Sequence, residues 1–175
     1  MEKSVTYGLS RLSYALLTED GTYAAPLSLP GAVKITLSPE TFAISFTGLD
    51  CIPQDDKLIE YGYKGQLTVA GLTTDFKKSV YDYEGADGDL IEKRTVTSQV
   101  CALLFETDGD IPMRQCYYVC RFGKPEIVHE TKTETTTVST FSIPVTMRAN
   151  ASASIRRVNF NTNSDTYKNW FKAVQ

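Results

Sequence analysis

Apolar residues recur at every second position in several runs, and turn-forming residues separate the runs. Val33, Ile35 and Leu37 alternate with Lys34, Thr36 and Ser38 before Pro39. Tyr61, Tyr63, Leu67 and Val69 alternate with Gly62, Lys64, Gln66 and Thr68. Phe141, Ile143, Val145 and Met147 alternate with Ser142, Pro144, Thr146 and Arg148. A period of two sends successive side chains to opposite faces of an extended chain, so each run predicts a strand with one buried face. Asp20-Gly21 and Pro30-Gly31 divide residues 7–40 into three strands, and Asp108-Gly109 turns residues 96–106 into 114–122 as a hairpin. Residues 100–105 are apolar without interruption, which predicts a strand covered on both faces. Gly65 predicts a bulge or a close backbone approach, and Pro144, which lacks an N–H, predicts an edge strand or a bulge.

Two helices interrupt the strands. Residues 74–81 follow Thr73 or Thr74 as N-cap, with Asp75 in the first turn and Phe76 and Val80 on one face. In residues 165–174, Tyr167, Trp170, Phe171 and Val174 recur at helical spacing after Ser164 or Asp165 as cap. So short a helix does not persist alone and must dock on a surface. Three long loops remain, at residues 38–57, 83–94 and 126–140. The first holds the apolar stretch 42–46, which has no obvious partner within its own loop. These elements predict a mainly β chain with two short helices, in one domain over residues 1–175.

The composition is that of an ordinary globular chain, 42% hydrophobic and 22% charged over 175 residues. A formal net charge of -3 argues against a general nucleic-acid binder, which uses a basic patch to displace counterions. No apolar run reaches the length of a membrane-spanning helix, and the first residues lack the apolar stretch of a signal peptide. Cys116 and Cys120, four apart in a strand, are expected on one face roughly 13 Å apart at about 3.3 Å per residue. That is too far for a disulfide between them, and buried reduced thiols are the ordinary reading.

Catalytic chemistry finds little support. The single histidine, His129, sits between Glu126 and Glu130, and no nucleophile elbow is present to join it in a triad. Asp55-Asp56, and Asp87 with Asp89, read as solvated loop carboxylates. Asp108-Gly109-Asp110 lacks the further oxygen ligands of a calcium loop. No catalytic, metal or cofactor-binding residue is expected, and no cofactor. Ten tyrosines are many, and Tyr117 and Tyr118 point to opposite faces of one strand. Exposed, such rings could stack on sugars. Otherwise they fill a core or a subunit interface.

The ordered set Tyr7-Gly8-Leu9, residues 14–23 (YALLTEDGTY), 29–33 (LPGAV), 37–40 (LSPE) and 63–69 (YKGQLTV) resembles the major tail proteins of long, non-contractile-tailed phages, the phi13-type family. Asp75-Phe76, 102–106 (ALLFE), 130–134 (ETKTE) and 170–174 (WFKAV) continue the resemblance nearly to the end of the chain, while residues 41–51 depart from the family's Asp/Asn-rich loop. The resemblance implies two packed antiparallel sheets with a flanking helix and a short C-terminal helix, in a structural virion protein with no enzymatic activity. Its subunits would form hexameric rings that stack into the tail tube. It would be assembled in the host cytoplasm, with tape measure and tail terminator proteins as partners and no membrane partner. DNA would pass through without specific binding, and a net acidic tube is expected to let it slide. Phe42, Ile44, Phe46, Leu49 and Ile52 would then contact a neighbouring subunit or ring. Gln66, Thr68, Gln115 and Arg121 are candidate lumen residues, and Tyr167, Trp170, Phe171 and Val174 would dock the C-terminal helix, either within its own subunit, as termini usually need tethering, or across to a neighbour. The alternatives are a monomeric β-sandwich glycan-binding module, or a type VI-like tube or tail-completion protein on the same fold.

Overall fold

The computed structural model describes residues 6–47, 53–94, 98–127 and 140–174. The chain runs β1 (Thr6–Leu16), β2 (Leu27–Ser28), β3 (Ala32–Thr47), β4 (Pro53–Val69), α1 (Thr74–Tyr81), β5 (Cys101–Gly109), β6 (Met113–Phe122), β7 (Phe141–Arg148), β8 (Arg156–Asn159) and α2 (Asp165–Lys168). It is mainly β and every strand pairing is antiparallel. The strands form one hydrogen-bonded sheet of eight, ordered β2-β1-β5-β6-β7-β4-β3, with β8 also on β6. The two expected sheets are thus joined, and β6 is the junction. One edge of β6 pairs with β5. On the other edge Arg114–Tyr117 pairs with β8, and Val119–Phe122 pairs with β7.

A bulge makes this change of partner possible. Cys101 faces Cys120 and Leu103 faces Tyr117, so two steps on β5 match three on β6. The extra residue shifts the alternation of β6. Tyr117, Cys120 and Phe122 face the larger core, whereas Cys116 and Tyr118 face a smaller one. Cys116 and Cys120 therefore lie on opposite faces, not on the shared face that their spacing suggests. Residues 101–105 are buried on both faces, as their uninterrupted apolar character predicts.

The larger core takes residues from β1, β4, β5, β6 and β7. Strands far apart in the sheet order share it, so the sheet curls around its inner face. Helix α1 closes one end. Thr73 caps it, its side chain accepting from the Phe76 amide at 3.2 Å. Phe76 sits edge-on to Tyr14, Tyr81 and Phe122 with centroids 5.0, 5.6 and 5.5 Å away. Such contacts add about 1 kcal/mol each beyond the area they bury.

Two positions show why the local residue is required. Strand β7 is interior, with β4 and β6 on its two sides, and is not the edge that Pro144 suggests. Pro144 stands opposite Gly123, whose amide donates to the Pro144 carbonyl at 2.7 Å. The return bond to the Gly123 carbonyl, which proline cannot donate, comes from the Tyr81 hydroxyl at 2.7 Å. At Gly65, a Cβ would lie 1.8 Å from the Thr36 carbonyl oxygen, so close backbone approach is what the glycine serves. We predict that Gly65→Ala lowers stability by about 3 kcal/mol through forced overpacking, read as the shift in a urea midpoint. An unchanged midpoint would contradict the close approach.

Burial pushes the Cys101 and Cys116 thiols up from 9.0 to about 12 and the Tyr23 phenol from 10.0 to about 12, and it raises Cys120 and Tyr81 as well. These groups stay neutral in the fold at pH values where the unfolded chain ionises. The folded pKa is above the unfolded one, so this stabilisation is complete below about pH 9 and is lost as pH rises toward about 12. Denaturation midpoints at successive pH values should fall steeply across that window, whereas a flat profile would show that the groups are not buried.

Candidate assembly interface

Strand β4 is longer than the sheet that holds it. Its second partner, β7, pairs only with Gly62–Val69. Beyond Gly62, β4 pairs with β3 alone among the described residues, and β3 is the sheet's edge. The β3–β4 hairpin therefore projects past the sheet as a two-stranded arm. The expected loop at residues 38–57 is largely this arm, with Phe42 paired to Ile59, Ala43 to Leu58 and Ile44 to Lys57. Pro39 reads as a strand stop, but β3 continues through it because an edge strand tolerates proline.

The arm's apolar side chains have little of the protein to pack on. Phe42 is 47% exposed, Ile44 46%, Leu58 70% and Ile59 38%. Phe42 and Ile59 share one face, with the Tyr61 ring 6.0 Å from that of Phe42, while Leu58 points to the other. The root is anchored where Arg148 meets Glu40 at 2.6 Å and lies 5.1 Å from the Tyr61 ring centroid. An isolated two-stranded ribbon is marginal in water, and exposed apolar residues grouped in this way mark an interaction surface. The backbone of Phe46 continues the arm opposite Gln54. Leu49 and Ile52 lie outside the described residues.

Gln66, Thr68 and Arg121 come together on the outer face of β3, β4, β7 and β6. Register aligns Ser38, Lys64, Thr146 and Arg121 in one row, Thr36, Gln66 and Pro144 in the next, and Lys34, Thr68 and Ser142 in a third. These rows contain three cations and no carboxylate. This face is therefore basic, unlike the net charge of the chain. Gln115 is not part of it. It pairs with Phe105 and Val158 in the other half of β6, on the core side of the sheet.

The C-terminal segment docks on its own chain. Ser164 caps α2 by accepting from the Tyr167 amide at 3.1 Å. The α-helix ends at Lys168, short of the expected 174, and the chain continues in tighter turns, with Trp170 N–H on the Tyr167 carbonyl and Lys172 N–H on that of Asn169. Trp170 is fully buried, and Phe171 and Val174 pack with it on Ala15, Ala102, Leu104 and Cys116, the outer face of β1, β5 and β6. Tyr167 lies under the Arg114 guanidinium, 3.9 Å from its ring centroid. Arg114 also donates to the Tyr167 carbonyl and, through Nε, to Glu106 at 2.7 Å. Sequence reasoning missed Arg114, although its cross-strand position opposite Glu106 was a usable signal.

Tyr117 is 3% exposed and Tyr118 8%, so neither offers a stacking surface for a sugar. Among the described residues no group of three or more His, Cys, Asp or Glu could hold a metal ion, and no helix is long and apolar enough to cross a membrane. His129 lies outside the described residues. Asp87 and Asp89 occupy an exposed loop, which an antiparallel bridge between Glu84 and Ile91 ties together.

We predict that Trp170→Ala costs about 4 kcal/mol, the usual range for removing a buried Trp. It should also raise dye binding to the uncovered β5–β6 face. Wild-type stability in this variant would show that the segment docks elsewhere. No model of a known protein family and no curated protein matches this chain.

Proposed function

We propose that the chain is a structural subunit that assembles with copies of itself into a tube, in the manner of the tail tube proteins of long non-contractile-tailed phages. Hexameric rings would stack, DNA would pass through the channel, and tape measure and terminator proteins would set the tube's length and end. The observation that carries this reading is the projecting β3–β4 arm, whose apolar residues lie exposed and would gain cover from another molecule. The subunit otherwise has the character of a building block, with a curled sheet, a covered outer face over β1, β5 and β6, and its C-terminus tied down.

The polar outer face bearing Gln66, Thr68 and Arg121 is our candidate for the channel wall. Its three cations are dispersed among hydroxyl and amide side chains, so contacts to phosphate would be few and weakened by salt. Gln115 is dropped from this set. No observation favours a glycan-binding module, since the tyrosines it needs are buried. A type VI-like tube or a tail-completion protein shares the same fold logic and differs in whether stacking is unlimited.

Negative-stain electron microscopy of the purified protein tests the proposal. Rings or tubes whose length grows with concentration are expected. Phe42→Asp with Ile59→Asp should leave the circular dichroism spectrum and thermal midpoint close to wild type, because both side chains are exposed, yet abolish tubes. Tubes of normal length from this variant would remove the arm from assembly.

A further inference from the structure

The arm has a counterpart at the other end of the same strand. Val69, where β4 ends, pairs with Phe141. Beside that pair lies a cleft of about 360 Å³, walled by Leu72, Pro125, Ile127 and Phe141 and rimmed by Lys77 and Lys124. The apolar wall is accessible, with Ile127 65% exposed. Lys124 is bridged to Glu92, whereas Lys77 has no ion-pair partner among the described residues. The arm begins beyond Gly62, and Gly62 to Val69 is seven steps, about 23 Å at ~3.3 Å each. An apolar projection and an apolar cleft thus lie at opposite ends of one rigid stretch of sheet.

We infer that the cleft is the receptor for the arm of a second copy of this chain. The inference rests on the reading of the arm as an assembly element. Phe42 and Ile59, paired on one face of the arm, supply the apolar insert. Residues 41–60 carry Asp50, Asp55, Asp56 and Glu60 against Lys57 alone, a sign that suits Lys77 at the rim. Arm and cleft are different patches, so the contact is head-to-tail. Every complex keeps one free arm and one free cleft, and such a contact propagates instead of stopping at a dimer.

Mixing two blocked proteins tests this. The arm variant is Phe42→Asp, Ile59→Asp. The cleft variant is Ile127→Asp, Lys77→Glu, at an exposed and a half-buried position. Each alone should fail to stack. An equimolar mixture should join cleft-variant arms to arm-variant clefts and give two-layer complexes that grow no further, seen by sedimentation velocity and microscopy. A second readout is Ile44→Cys, on the Phe42–Ile59 face of the arm, with Ile127→Cys in a Cys51→Ser chain, expected to give a ladder of disulfide-linked copies on mild oxidation by oxidised glutathione, one glutathione disulfide consumed and two glutathione thiols released per link. If the cleft variant stacks as wild type does, or the mixture stays unjoined and the ladder is absent while the arm variant still fails, the receptor is elsewhere and the inference falls. If the arm variant itself stacks normally, or the wild-type protein never associates, the underlying reading of the arm falls instead.

Discussion

The bulge in β6 between Tyr117 and Cys120 is the constraint on which the rest of the fold depends. By adding one residue against β5, it reverses which side chains face inward beyond Tyr117. Cys120 and Phe122 can then join the larger core, while Cys116 and Tyr118 remain on the other face. It also marks the point where β6 leaves β8 and takes up β7. Without the bulge, an unbroken alternation would put Cys120 on the face of Cys116 and turn Phe122 away from Phe76.

The two faces of the central strands then need separate covers. Helix α1 and the curl of the sheet cover the inner face. Tyr23 and the C-terminal segment cover the outer one, Tyr23 donating its hydroxyl to the Tyr118 carbonyl at 2.7 Å. Glu106 and Arg114 hold that second cover in place. The pair is nearly buried, with side chains 14% and 10% exposed, so removing one partner would strand the other's charge at a cost of about 3–5 kcal/mol. Toward β3 the outer face has no cover among the described residues and is polar, and the arm extends from that side. Covered and uncovered regions thus follow the sheet order.

Much of this was legible in the sequence, because period-two alternation and caps are local signals. The strands around Leu37, Leu67 and Val145, the Thr73 and Ser164 caps, the close approach at Gly65 and the docking of Trp170 all follow from residue type and spacing. What was not legible depends on pairing. Pro39 looked like the end of a strand because edge position cannot be read locally. Pro144 looked like an edge because the substitute donor, Tyr81, is remote in sequence. The faces of Cys116 and Cys120 depend on a bulge that has no glycine to signal it. The candidate interface was legible as an apolar stretch at 42–46, but its form as a strand pair required the partner residues 57–60. The cleft at the far end of β4 had no sequence signature, since its walls come from four separate segments.

The central claim is that the β3–β4 arm is exposed in the single subunit and covered by another copy on assembly. Hydrogen exchange read by mass spectrometry, on dilute protein and on assembled protein, tests it most directly. The account predicts that amides of residues 41–47 and 53–61 exchange quickly in the dilute subunit, where β3 has an open edge, and become protected on assembly. Exchange within Cys101–Gly109 should be slow in both. Equal, fast exchange of the arm in both samples would contradict the account.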